Sequence, residues 1–325
     1  MTSGSLPTVR VGRSGLAVSR VGVGCNAFGS RIDSAQTARV VHAAVDRGIT
    51  FFDTAEGYGS RPGESEEFLG AALAGGRRDS VVVASKFGYP GGRALSPDWE
   101  PRGSRNAVRR AVEGSLRRLR TDRIDLYQMH RPDPTTPIDE TLRALDDLVR
   151  EGKVRYVGSS NFAAWQVVDA DRAAAALGVE RFVSAQNHYN LLHRDPEREL
   201  IPACRHVGVG LLPYYPLASG LLTGKYRRGQ EPPDGSRLSQ PRARARYDTA
   251  DWDRLEALEE FAAEREVSLL HVAVGGLAAQ PAVASVIAGA RSPEQVHANA
   301  DAALWQPTAE DLAEIDTITA PSRDA

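Results

Sequence analysis

The feature that most constrains this chain is a recurring couplet, a short aliphatic run followed by a segment with helical spacing. Eight such runs occur in 325 residues, at Val21–Gly24, 49–52, 81–84, 124–127, 154–157, 182–185, 209–212 and 283–288. Helical segments follow at Ser34–Asp46, with Asp33 or Ser34 as N-cap, and at 64–73, 106–119, 142–149, 165–177 and 197–206. Two more, 252–265 and 269–280, lie between the seventh and eighth runs. In 106–119, Val108, Val112, Leu116 and Leu119 fall on one helical face. The aliphatic runs do not alternate with polar residues, which suits strands buried on both faces of a parallel sheet. Repeated strand–helix units make an α/β fold, either doubly wound or closed, and eight of them favour a (β/α)8 TIM barrel. Residues 8–18, turning at Gly12 and Gly15, predict a short N-terminal β-hairpin. Residues 225–250, rich in arginine, proline and glycine, predict a long loop after strand 7. No linker or composition shift divides the chain, so one domain over 1–325 is expected.

Composition narrows the partners. A formal net charge of −2 with both signs dispersed gives no basic face for nucleic acid. Cys25 and Cys204 lack metal-ligand spacing and suit reduced thiols, and no cluster of histidines suggests a metal. Residues 1–10 hold no apolar run of the kind a secretion signal needs, so a cytoplasmic protein is expected. The uncharged stretch 267–290 is long enough to span a bilayer, but Pro281 and the Gly275–Gly276 pair predict a buried helix, a turn and a buried strand instead.

What ends the strands points to chemistry. Asp53, Lys86, His130, Ser160 with Asn161, Gln186, Tyr214 and Gly289 each follow one of the aliphatic runs, and in a barrel these positions share the C-terminal rim. Singly, each has a plain structural explanation: Asp53 could cap a turn, Tyr58 could be a surface tyrosine between glycines, and His130 could satisfy a strand-end carbonyl. Jointly they suit carbonyl reduction, which needs hydride at carbon and a proton at oxygen. A phenol near pKa 10 is a reluctant donor; a neighbouring ammonium is expected to make it more acidic. An aspartate would orient the lysine, and a histidine could polarise the carbonyl oxygen.

Several segments then resemble one known family. Asp53-Thr54-Ala55-Glu56-Gly57-Tyr58-Gly59 with Glu64-Ser65-Glu66-Glu67-Phe68-Leu69-Gly70 resembles the first signature of the aldo-keto reductases. Ile124-Asp125-Leu126-Tyr127-Gln128-Met129-His130-Arg131-Pro132-Asp133 resembles the segment bearing their active-site histidine. Gly158-Ser159-Ser160-Asn161-Phe162, the 215–226 segment and Ile287-Ala288-Gly289-Ala290-Arg291 resemble the remaining landmarks, in family order. The loop from Lys225 is similar to that of members related to potassium-channel β subunits more than to the aldose reductase type.

The resemblance implies Asp53, Tyr58, Lys86 and His130 as a catalytic tetrad acting on a small carbonyl substrate with NADPH. It implies Ser160, Asn161 and Gln186 against the nicotinamide carboxamide and Tyr214 against the ring. Gly24, Cys25 and Asn26 would lie near the cofactor. Tyr215, Pro216, Leu217, Ser219, Lys225 and Arg237 would line the pyrophosphate and its closing loop. Gly289, Arg291, Gln295 and Asn299 would surround the adenosine ribose and its 2′-phosphate, Arg291 being the reason to favour NADPH over NADH. Cys25, Tyr215 and Ala298 depart from the residues common at their positions.

Rival readings are weaker. Gly22-Val23-Gly24-Cys25-Asn26-Ala27 matches a dinucleotide fingerprint, but no helix opens directly after it. A redox-sensing module that binds NADPH with little turnover is the alternative. An aldolase or isomerase using Lys86 as a Schiff base leaves Asp53 and Tyr58 without a use.

Overall fold

The computed structural model describes residues 6–90, 95, 97 and 99–320; the start of the polar N-terminal segment therefore lies outside the described residues. Strands β1 (Thr8–Arg10) and β2 (Ala17–Ser19) pair antiparallel as the predicted hairpin. Eight parallel strands follow: β3 (Val21–Gly24), β4 (Phe51–Asp53), β5 (Val82–Phe87), β6 (Ile124–Met129), β7 (Val154–Ser160), β8 (Phe182–His188), β9 (Gly210–Tyr214) and β10 (Val286–Gly289). Their order is β10-β3-β4-β5-β6-β7-β8-β9. Between β9 and the residues leading into β10, Leu211 N–H donates to the Ala282 carbonyl at 2.7 Å and Ala284 N–H to the Leu211 carbonyl at 2.9 Å, which closes the sheet into the expected barrel.

Two apolar layers hold it. One lies between the strands and the surrounding helices and contains Val40, Leu69, Val112, Leu145 and Val272. The other fills the lower barrel with Phe51, Ala84, Leu126, Leu212 and Ile287 and is plugged from below by Val11, Leu16 and Val18 of the hairpin region. Gly12 makes that plug possible, because its φ of +58° is costly for other residues and a Cβ there would meet the Gly208 carbonyl oxygen at 2.3 Å. Side chains alternate along each strand. The residue two positions beyond each interior apolar group therefore also faces inward, one layer higher: Asp53 above Phe51, Lys86 above Ala84, Gln128 above Leu126.

One expectation needs correction and another is met. The segment 225–250 is not all loop, since Pro241–Asp248 is a helix opened by proline at its first turn. Its Pro-Arg-Ala-Arg-Ala-Arg sequence has no apolar stripe, so periodicity missed it. Residues 267–290 do form a helix, Leu269–Ala278, then a turn and β10. Among the described residues no helix is long and apolar enough to cross a membrane.

Candidate active site

The upper interior layer is polar and buried. Lys86 is 0% exposed and Asp53 2%. Lys86 Nζ donates to Asp53 Oδ2 at 2.6 Å and to the Thr54 carbonyl at 2.9 Å, and lies 3.4 Å from the Tyr58 hydroxyl. The other carboxylate oxygen of Asp53 accepts from Gln186 Nε2 at 2.8 Å and Gln128 Nε2 at 3.3 Å. An ion pair this deep is stable only when its remaining lone pairs are satisfied, and the two glutamine amides do that. Gln128 was missed in the sequence; a polar residue two positions before His130 inside an aliphatic run was the available signal.

Tyr58 is placed by backbone pairing. Thr54 N–H donates to the Ala84 carbonyl at 2.9 Å and Glu56 N–H to the Lys86 carbonyl at 3.1 Å, so the loop after β4 is laid along β5 with the phenol next to the ammonium. Burial raises the Tyr58 pKa well above its ordinary value, and the Asp53 carboxylate raises it further. The phenol is therefore not brought below its ordinary value as the sequence had led one to expect. Burial and the Asp53 carboxylate outweigh the ammonium 3.4 Å away. His130 follows β6, its ring 5.7 Å from that of Tyr58 and 4.6 Å from that of Tyr89, both edge-on. Burial, then Lys86 and Arg131, push its pKa well below the usual range, so the imidazole is neutral.

Above this floor opens a cleft of about 750 Å³. Gly24, Asn26, Asp53, Tyr58, His130, Ser160, Asn161, Gln186, Tyr214, Tyr215, Pro216, Leu217, Ser219, Lys225, Arg237, Gly289, Arg291, Gln295 and Asn299 all line it. Lys86 lies beneath, reaching the cleft through Tyr58. Cys25 is the exception: the turn Cys25–Ala27 directs Asn26 to the cleft and buries Cys25, whose thiol lies 3.6 Å from the Val23 carbonyl. Tyr89, Arg131, Arg31 and Arg246 are wall residues not assigned from the sequence.

Asn161 has φ +61° and knots the rim together, donating to the His130 carbonyl at 2.9 Å and accepting from the Tyr214 hydroxyl at 2.8 Å. The Tyr214 ring stacks on His188 at 5.6 Å, which stacks on His193 at 4.0 Å. After β9 the chain turns through Tyr215, Ala218 and Ser219, all at positive φ. Such residues cost roughly 1–3 kcal/mol each and cluster where function over-determines the backbone. Arg237 donates to the Tyr215 hydroxyl at 3.2 Å, and Arg291 to the Gly235 carbonyl at 3.2 Å, which draws the 225–250 segment to the cleft.

The donor set fits a phosphate-bearing dinucleotide. Lys225, Arg237, Arg246 and Arg291 form no ion pair with a carboxylate among the described residues, and an anion would satisfy all of them. A Cβ built on Gly289 would meet nothing closer than Asn26 Oδ1 at 4.0 Å, leaving room for a ligand against the backbone.

Behind the floor, Glu56 is buried and accepts from Gly88 N–H at 2.8 Å. Burial, only partly offset by that bond, pushes its carboxyl up to about 7. A raised carboxyl pKa favours the fold at pH below the unfolded value, and the advantage is lost as pH rises through about 7. Glu56→Gln, neutral throughout, should therefore lose less thermal stability than the parent between pH 5 and 8.5. The difference should be roughly 3 kcal/mol; parallel Tm–pH curves would refute this.

The aldo/keto reductase family model matches residues 20–320. The chain is 39% identical over 300 residues to the uncharacterized oxidoreductase YrpG of Bacillus subtilis, covering 88% of this chain and 87% of that one. It is 36% identical over 296 residues to a probable voltage-gated potassium channel subunit beta of Oryza sativa subsp. japonica, covering 89% and 88%. Similarity to the aldo-keto reductase YhdN of Bacillus subtilis is 34% over 317 residues, covering 94% and 91%.

Proposed function

The chain belongs to the aldo/keto reductase family, and from that premise we propose that it reduces aldehydes or ketones with NADPH, using Tyr58 as proton donor. The observation that carries this reading is the buried Asp53–Lys86 pair set 3.4 Å below the Tyr58 hydroxyl at the floor of the cleft. When bound, the nicotinamide supplies a hydride to the carbonyl carbon. The chain's own residues handle the oxygen. Tyr58 stays protonated until negative charge grows on that oxygen, and then gives up its proton. Lys86 sits where it can stabilise the phenolate left behind, a charge present only late in the reaction. Neutral His130 has one ring N–H to offer the oxygen and does not compete as an acid.

Ser160 and Asn161 are assigned to the carboxamide, with Gln186 at the same rim although its amide N–H is engaged by Asp53. Tyr214 offers its ring as a platform. Lys225 and Arg237 would hold the pyrophosphate, and Arg291, Gln295 and Asn299 the adenosine ribose end. Among the described residues Arg291 donates its guanidinium to a neutral carbonyl and to no carboxylate, which supports a 2′-phosphate partner and so NADPH over NADH. A module that only sensed the nucleotide would have no use for a proton donor above a buried ion pair.

Fluorescence titration should give a Kd for NADPH about 10- to 100-fold below that for NADH. Arg291→Met should abolish most of that gap. Equal affinities in the unaltered protein would remove the NADPH assignment, and no turnover across a panel of aldehydes would remove the reductase reading.

A further inference from the structure

Many arginines of this chain sit against carboxylates, as Arg110 does with Glu100 and Arg118 with Glu66. Arg131 does not. It lines the cleft beside His130, yet no hydrogen bond or ion pair engages its guanidinium among the described residues. The nearby acid, Asp133, is already occupied, accepting from Gly103 N–H at 2.8 Å and from the Thr135 and Thr136 hydroxyls at 2.6 and 2.9 Å. Arg102 is spent on the Gly88 and Pro132 carbonyls. The other cations of the cleft wall are Lys225, Arg237, Arg246 and Arg291, on the segments after β9 and β10, and Arg31, after β3. Among the described cations of the wall, Arg131 is the one on the loop that carries His130.

On the reading that Tyr58 protonates a carbonyl, we propose that the substrate also carries an anionic group, a carboxylate or phosphate ester, that seats against Arg131. Three features support this. Arg131 is exposed and not packed away, and Pro132 disfavours a helical backbone at 131. Tyr89, Tyr58 and Tyr214 line the same cleft as Arg131, with Tyr58 and Tyr89 edge-on to the neighbouring His130. Arg131 stands close enough to two rings of the cleft for its charge to be felt there, lowering the pKa of His130 alongside burial and that of Tyr214 against it. A neutral His130 leaves the guanidinium as the charge available to an anion there.

The test pairs binding with turnover. With the full chain saturated in NADP⁺, calorimetry should show 4-(hydroxymethyl)benzoate binding about 10- to 100-fold tighter than its methyl ester. Arg131→Met should erase the difference, and Arg131→Lys should restore part of it. The ratio of kcat/KM for 4-formylbenzoate over its methyl ester should follow the same pattern and shrink as salt is raised. Including 4-formylphenyl phosphate shows which anion is preferred. Equal affinity for the benzoate in the parent and Arg131→Met would overturn the proposal. If no aldehyde is reduced while binding still depends on Arg131, the reductase reading falls and the anion site stands.

Discussion

Tyr58→Phe is expected to lower kcat/KM for carbonyl reduction by about 10²–10⁴-fold, the usual share of general acid catalysis, while NADPH binds as before. The ring would keep its edge-on contact with His130 at 5.7 Å, and only the hydroxyl 3.4 Å from Lys86 would be lost. The loss should appear in kcat as well as kcat/KM, because the proton is needed only as the oxygen becomes negative. In the unaltered protein reduction should stay level with pH through neutrality, since burial holds the phenol protonated and the imidazole neutral. Stopped-flow single turnovers compared with fluorescence titration would separate chemistry from binding. Near-normal reduction by the variant would mean that another acid serves the reaction.

The same polar layer explains how far the sequence could be read. Aliphatic runs located every strand of the barrel, but they stopped short at its upper end. The expected strands 81–84, 124–127, 154–157 and 182–185 prove to be Val82–Phe87, Ile124–Met129, Val154–Ser160 and Phe182–His188. The backbone ladder continues through Lys86, Gln128, Ser160 and Gln186, where hydrophobicity has already failed. Those residues are polar because the upper interior is the site, so the pattern broke where function begins. Their convergence was legible because strand ends of a barrel share one rim. Their mutual hydrogen bonds were not, nor the depth of the layer: spacing cannot show that burial and Asp53 would outweigh Lys86 and leave the Tyr58 phenol less acidic than a free one. Nor could it show that the turn after β3 would send Asn26 to the cleft and Cys25 to the core. The helices Pro293–Ala302 and Ala309–Thr319 also went unread, alanine-rich and weakly striped as they are. The first nevertheless sets Gln295 and Asn299 one turn apart on the face toward the cleft.

Lys86→Met should remove at least as much activity as Tyr58→Phe and should destabilise the fold as well. It leaves Asp53 at 2% exposure with only two amides for partners, and a buried charge deprived of its counter-ion costs about 3–5 kcal/mol. A lone buried carboxyl can escape that cost by taking up a proton, so the deficit relative to the parent should be larger at pH 8 than at pH 5. Adding Asp53→Asn removes the orphaned charge. The double variant should regain most of the stability measured by urea denaturation, yet none of the turnover, because the phenolate would still lack a cation beneath it. This separates the structural debt of the ion pair from its chemical use. A double variant that recovered activity along with stability would show Lys86 to be scaffolding, and a single variant as stable as the parent would show that water or a neighbour already screens Asp53.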